Sequence, residues 1–543
     1  MRKNLEIPMG KRTRKYRFFE MLPAILSYGA IILLFLLSWL NPILGAVYLF
    51  IIVAMTLVKA ISVAYRTVQG YEVIKRAEKV DWRGRMKDLE NPHEAYERLH
   101  GKVSKEYNFD THLENLRMMA AMESEYPKAE EIYHAVIMTA YNEGEEILGP
   151  SIEAVKNSSF PKERIIFSLA YEERGGEEME KIAKRLAKKY KGVFYDFLLI
   201  KHPANLPNEV IGKGPNLTWA GAKVAEYVEK KRLPIQNVVV TTLDSDNRVG
   251  EKYFDAVAYE FVTHPNRQRL SYQPVSLFVN NIWDAPAPTR VVATSNSFYN
   301  IITTMRPHAL RNFASHSQPL QALKAMGFWS KRTIDEDGHQ YWRSLFFFEG
   351  DYAVLPIRIP IYQDAVLDES FWKTVKAQFI QTRRWYYGAS DVPYVAVRLF
   401  TKREKRGMAF WPLFTKFVRL VDGHVTLAVL APIVAFGGWV PMVMNSSSRG
   451  VLAYNLPSIV GNVQTIAMLG LIATIIISLK ILPERPKQYK KEKVVVMILQ
   501  WILMPVTSIL YQSLAAFYSQ TRLFLGKYME KFDVTRKYAK IKT

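Results

Sequence analysis

The chain has 543 residues, 49% of them apolar and 13% aromatic, with 73 Lys and Arg against 51 Asp and Glu. That much apolar surface to bury excludes intrinsic disorder. Zero cysteines exclude a disulfide scaffold, a thiolate zinc site and a cysteine nucleophile. The formal charge of +22 admits either nucleic acid or loops held at an anionic membrane surface. The apolar residues come in blocks, and the blocks decide for the membrane.

Residues 1–65 read as a basic N-terminus and two membrane helices. No charge occurs at the 38 positions between Glu20 and Lys59. As helix that stretch is about 57 Å long, roughly twice the thickness of a hydrocarbon core. Asn41-Pro42 near its middle predicts a tight turn between spans at about 22–40 and 43–62. Residues 66–130 read as a polar helical linker.

From Glu131 apolar runs alternate with helical stretches. His134–Met138, Arg164–Leu169, Val193–Ile200 and Asn237–Leu243 are predicted strands. Helices are predicted between them, one of them over Asn216–Lys230. Such βαβ units imply a parallel sheet covered on both faces, with ligands bound beyond the strand C-termini. This domain is placed at 131–365. Residues 366–422 read as amphipathic interface helices, with Phe371, Val375 and Phe379 at helical spacing and Trp372, Trp385, Tyr386 and Tyr387 suited to an interface.

Uncharged blocks at 423–448, 450–479 and 494–521 give about three more spans, and 522–543 is a basic tail. Lys and Arg crowd residues 1–20, 400–420 and 480–493, whereas the segment Asn445–Ser448 is followed only by Arg449. The long segment between Lys59 and Phe400 is therefore expected at the cytoplasmic face of a cell or inner membrane, in a multi-pass protein. Three C-terminal spans would put the tail outside, yet it carries Arg522, Lys527, Lys531, Arg536, Lys537, Lys540 and Lys542. Either Pro505 makes the last block re-entrant or the tail breaks the rule.

The fourth strand ends in Asp244-Ser245-Asp246, two carboxylates that could meet one hard divalent cation gripping a diphosphate. The alternative is a solvated turn. Asp335-Glu336-Asp337 could be an exposed loop, a helix N-terminus, or a carboxylate whose pKa is raised by its neighbours. Gln381-Thr382-Arg383-Arg384-Trp385 could supply an Arg for phosphate and a Trp that stacks on a sugar.

Together with Thr139-Ala-Tyr-Asn-Glu143, Lys213-Gly-Pro-Asn216, Tyr272-Gln-Pro274 and Phe313-Ala-Ser-His316, these motifs stand in an order that resembles the membrane-bound family 2 glycosyltransferases, the cellulose, chitin and hyaluronan synthase group. The resemblance covers roughly residues 20–525. It implies an α/β fold, a GT-A (Rossmann-like) cytoplasmic catalytic domain inserted between transmembrane helices. It implies an inverting, metal-dependent hexosyltransferase that extends a glycan from a nucleotide-sugar, a UDP-sugar first among the candidates.

On that resemblance Thr139, Tyr141, Glu143 and Glu172 line the nucleotide pocket, and Lys213, Asn216, Gln381 and Arg384 also serve the donor. Asp244 and Asp246 hold it with Mg²⁺ or Mn²⁺. Asp337, with Glu336 beside it, is the expected base. Gln273, Ser315, His316 and Trp385 are the expected acceptor contacts. Thr382, Phe313–His316 and Glu172-Glu173 depart from the usual signatures, so the product stays open. Single-sugar transfer to a lipid carrier or membrane lipid is the alternative, and a non-catalytic scaffold or export channel the remote one. Expected partners are the nucleotide-sugar, a glycan or lipid-linked acceptor and membrane lipids. Nucleic acid is not among them, because the basic residues cluster beside spans.

Overall fold

The computed structural model describes residues 5–402, 406–445 and 451–533. Ser446–Ser448 and the basic residues Arg403, Lys405, Arg449, Arg536, Lys537, Lys540 and Lys542, used above to argue orientation, lie outside the described residues.

Two long helices open the chain, α1 (Arg14–Leu40) and α2 (Pro42–Lys79). Asn41 makes the turn, its side chain accepting from Ile43 N while Pro42 starts the next helix. α2 runs 17 residues past the expected end of the second span at 62. Its polar end docks on the domain that follows, where Lys252 Nζ donates to the carbonyls of Glu78 and Val80. The linker holds α3 (Trp82–Asp88), α4 (Pro92–Leu99) and α5 (Phe109–Ala121).

The domain that follows is built on eight strands: β1 (Tyr133–Ala140), β2 (Ile165–Glu172), β3 (Asp196–His202), β4 (Val238–Leu243), β5 (Arg248–Val249), β6 (Leu270–Phe278), β7 (Ser317–Pro319) and β8 (Ala353–Gln363). They form one sheet in the order β3-β2-β1-β4-β7-β6-β8-β5. The first four pair in parallel, as the βαβ pattern predicts. Beyond β4 the expected parallel sheet becomes mixed: β7 runs antiparallel to both its neighbours, and β5 antiparallel to β8.

Alternation along β1 builds two cores. Ala135 and Ile137 face α8 (Lys213–Lys230) and α11 (Leu320–Met326), whereas Val136 and Met138 face α6 (Glu145–Lys156), α7 (Gly176–Lys189) and α9 (Tyr253–Thr263). Burial on both faces is why β2 as far as Ala170, and β4 throughout, are apolar or small. The other catalytic-domain helices are α10 (Ala287–Thr304) and α12 (Glu336–Phe347), followed by α13 (Phe371–Tyr386) and α14 (Asp391–Leu399). Trp372, at the start of α13, is 76% exposed.

The chain then enters α15 (Phe410–Met444), α16 (Val451–Ile481) and α17 (Glu492–Phe524). Among the described residues, four helices are long and apolar enough to cross a membrane: α1, α2, α15 and α17. α15 begins 13 residues before the expected span. α17 is irregular about Pro505, with a 3₁₀ turn at Gln500–Leu503 and a π turn at Ser508–Ser513. Both its ends touch the body of the protein. Gln500 accepts from Arg290 on α10, and Ser519 donates to the carbonyl of Arg383 on α13.

Candidate active site

The loops after β1, β2 and β4 open on one side of the sheet, where α12 and α13 close over them. Between them lies a cavity of about 880 Å³. Thr139, Tyr141, Glu143, Glu172, Lys213, Asn216, Asp244, Asp246, Glu336, Asp337, Gln381, Arg384 and Trp385 all line it.

Glu143 folds its carboxylate back to accept from Tyr141 N (2.7 Å), Asn142 N (3.2 Å) and Ser245 Oγ (3.2 Å). It thereby ties the β1 loop to the β4 loop. Glu172 pairs with Arg174, whose guanidinium lies 5.3 Å from the Tyr141 ring centre. Asn216 donates to the Ala170 carbonyl at 2.9 Å, and its buried Oδ1 has no partner among the described residues. That oxygen is an acceptor open to a ligand.

The centre is a charge cluster. Lys213 Nζ is 2.5 Å from Asp244 and 3.5 Å from Glu336. Burial disfavours its charge, but Asp244, Glu336 and Asp337 outweigh that and raise its pKa. Burial also lifts the carboxyls: Glu336 is pushed up to about 7 against the pull of Lys213, and Asp337 is raised likewise. Asp335, which the sequence left in the same acidic run, is buried beside Asp337 and Asp391 and raised well above the usual carboxylate range. Asp337 sits in the first turn of α12 and accepts from Gly338 N at 2.7 Å.

Gly214 shows how tightly this is packed. A Cβ there would collide with the Ser330 carbonyl oxygen and stand 3.0 Å from the Glu336 Cβ. Gly214→Ala is therefore expected to destabilise the protein by about 1–3 kcal/mol, read as a lowered melting temperature.

Asp246 Oδ2 accepts from Asp364 N at 3.0 Å. Asp244 and Asp246 are hard oxygen donors on one wall, so their chemistry fits a divalent cation. Among the described residues no group of three or more His, Cys, Asp or Glu is arranged to hold a metal. A cation here would take its remaining ligands from the bound donor or from water.

Arg384 carries a feature that sequence reasoning missed. The chain after α17 returns as a strap over residues 526–533. Phe532 N donates to the Ile211 carbonyl at 2.7 Å, and Ile211 N to that of Glu530 at 3.1 Å. The strap lays the Phe532 ring 3.7 Å from the Arg384 guanidinium, and Arg384 donates to the Asp533 carbonyl at 2.8 Å. Arg383 pairs with the Asp533 carboxylate. Two acids, Glu530 and Asp533, in a basic tail were the one signal available.

Three of the expected acceptor residues do not line the cavity. Gln273 on β6 is turned inward, accepting from Phe313 N at 2.8 Å. Ser315, at φ +64°, bonds Asn247, and His316 is held between the Phe313 carbonyl and Trp329 Nε1. They brace the segment that presents Arg311, Asn312 and Phe313 to the cavity. Trp385 does line it, with its ring 6.0 Å from Phe278. Beyond Trp385 the cavity continues between α15 and α17, past His424, Leu427, Ser508 and Tyr511.

Residues 239–482 match the model of the family described as glycosyl transferase family group 2. The matched segment begins on β4 and runs through Asp337 and Arg384 into α16, and the protein is a glycosyltransferase with a GT-A catalytic domain. No curated protein sequence matches it. Among solved structures it is similar to a mannosyltransferase, PcManGT from Pyrobaculum calidifontis in complex with GDP-Man and Mn²⁺, at 11% identity and TM-score 0.39, covering 64% of this chain and 86% of that one. It is also similar to S. aureus TarS 1–349 in complex with UDP, at 10% identity and TM-score 0.32, covering 74% and 94%. A third is GalNAc-T7 with UDP, GalNAc and Mn²⁺, at 11% identity and TM-score 0.33, covering 54% and 58%. These are loose likenesses.

Proposed function

We propose that the protein is an inverting membrane glycosyltransferase that moves a sugar from a nucleoside-diphosphate sugar, UDP-linked first among the candidates, onto a growing glycan. The observation that carries this reading is the cluster around Asp337, where raised carboxyls and two cations share one cavity that continues between apolar helices.

In this mechanism Asp337 accepts the proton of the acceptor hydroxyl as that oxygen bonds to the anomeric carbon. The bond to the diphosphate breaks on the opposite face, so the configuration inverts. Lys213 and Arg384 balance the charge that grows on the departing diphosphate. Glu336 shares the Lys213 ammonium and tunes its neighbour. Asn216 Oδ1 and the pair of Glu172 with Arg174 serve the nucleotide end, and Trp385 packs against the acceptor. Mg²⁺ or Mn²⁺, held by Asp244 and Asp246, would supply Lewis-acid neutralisation of the diphosphate.

The strap and residues 5–8 both pack on the catalytic domain. This supports a topology in which the N-terminus, catalytic domain and strap share the cytoplasmic side, with α17 re-entrant. The cavity between α15 and α17 also favours a second reading, transfer of a single sugar to a lipid-linked acceptor, which product size separates from the first.

The test is nucleotide release by detergent-purified protein against a panel of UDP- and GDP-sugars, with Mn²⁺ or EDTA, followed by product sizing. Metal-dependent release from one donor is expected. No release from folded protein, even with native membrane extract added, would return the scaffold reading to the lead. Asp246→Ala is expected to weaken donor binding with metal present by about tenfold or more, roughly 1.4 kcal/mol, measured by calorimetry. Binding in EDTA should hardly change.

A further inference from the structure

Residues 5–13, ahead of the first long helix, do not hang free. Leu5 and Ile7 are buried against Tyr341, Trp342 and Leu345 of α12, the helix whose first turn carries Glu336 and Asp337. The Leu5 carbonyl accepts from Arg343 Nη1 at 3.0 Å and from Tyr394 Oη at 3.0 Å. Glu6 takes Arg343 Nη1 at 2.6 Å with one carboxylate oxygen and Ser330 Oγ at 2.7 Å with the other. Arg343 is fully buried on α12, and its only carboxylate partner among the described residues is Glu6.

Fourteen residues later the same segment grips the other half of the site. Glu20 is 1% exposed and meets Arg12 at 3.0 Å, Arg17 at 2.5 Å and Tyr528 Oη at 3.0 Å. Arg17 also donates to the carbonyls of Leu523 (2.9 Å) and Phe524 (2.8 Å), and Arg12 lies 3.9 Å from the Tyr528 ring centre. Tyr528 anchors the strap just before Phe532 and Asp533, which meet Arg384.

We infer that residues 5–20 are a positioning element of the active site, in which Glu6 sets the place of Asp337 through Arg343 and Glu20 sets the strap over Arg384 through Arg17 and Tyr528. The inference rests on the proposed transfer reaction for its kinetic consequence. A helix holds its residues rigidly along its length, so a displacement at Arg343 reaches Asp337 at the other end of α12. A misplacement of about 1 Å near reacting groups can slow a reaction on the order of a hundredfold. The two contacts act on different groups and have different signatures. Glu6 acts on the proton acceptor and hence on kcat alone, Glu20 on the diphosphate contact and hence on the donor KM as well as on kcat.

The experiment compares Glu6→Gln, Glu6→Asp and Glu20→Gln with the wild type in nucleotide release, together with amide hydrogen exchange. Glu6→Gln is expected to lower kcat by about ten- to a hundredfold with donor KM near wild type, with faster exchange in α12 alone. Glu6→Asp should recover part of that rate. Glu20→Gln is expected to raise donor KM about tenfold and to lower kcat as well, with faster exchange over 526–533 alone. Ser330→Ala, which removes one hydroxyl, should follow Glu6→Gln with a smaller drop even where that variant folds poorly.

Wild-type kinetics in both charge variants would overturn the inference. So would an equal fall in both parameters with exchange raised throughout, because that is what loss of general packing produces. A wild-type rate in Asp337→Asn would instead remove the reaction assignment, and the two exchange patterns would still decide whether the segment holds α12 and the strap.

Discussion

Asp337→Asn is expected to reduce transfer by on the order of 10²–10⁴ while nucleotide binding stays close to wild type. The amide keeps the size and the hydrogen bond from Gly338 N. It removes the lone pair that takes the acceptor proton and leaves Lys213, Arg384, Asp244 and Asp246 in place. Nucleotide release and calorimetric binding, measured on the same preparation, separate the two effects. A wild-type rate would sink the base assignment.

The same substitution has a pH signature. Burial raises the Asp337 pKa, and the carboxylate is the active form, so the wild-type rate should fall as pH drops through that raised value. The acid limb therefore lies above the range of about 4 usual for an exposed carboxyl. Stability runs the opposite way. A carboxyl whose pKa is raised on folding binds its proton more tightly in the native state, so its contribution declines from the unfolded value upward and is lost above the folded one. Asp337→Asn is thus expected to leave the melting temperature at pH 8 unchanged or higher. Sites that hold buried charge for chemistry commonly trade stability for it.

The parts of this molecule that were legible in its sequence are those whose signal is local. β1, β2 and β4 are mostly apolar runs whose pattern comes from burial on both faces, whereas β3 is a partly exposed strand at the sheet edge. β8 was not legible, because Pro356 and Pro360 interrupt its pattern, and its pairing with β6 shifts register at Pro274/Val275. β7 is only three residues long and takes its place from its neighbours. The carboxylates were visible because they stand at a strand end and a helix start, where side chains project into the cavity. Gln273, Ser315 and His316 stand off the cavity for a related reason. The resemblance implied contact with an acceptor, but orientation follows from strand alternation at Gln273 and from a positive φ at Ser315. The strap and residues 5–8 left almost no signal, because Arg17 and Leu523 lie 506 positions apart and composition says nothing about such pairs.

Lys213→Met is expected to have the second large effect, because one ammonium serves three carboxylates. Methionine keeps most of the buried volume and removes the charge. Asp244 then loses a partner at 2.5 Å and Glu336 one at 3.5 Å. Lys213 is also the main opposition to burial at both Glu336 and Asp337, so its loss lets both carboxyls rise further. The rate at neutral pH should fall on the order of 10²–10³, as it does when one preorganised donor is taken from a developing anion. The acid limb of the profile should move to higher pH, since an opposite charge within about 4–6 Å lowers a carboxyl by one unit or more. Part of the lost rate should therefore return at pH 9, where the carboxyls ionise again. A fall in rate with an unmoved acid limb would mean that Lys213 acts on the diphosphate alone. An unchanged rate would remove it from the site, and the raised carboxyls would then need a different counter-charge, for which Arg384 is the nearest candidate.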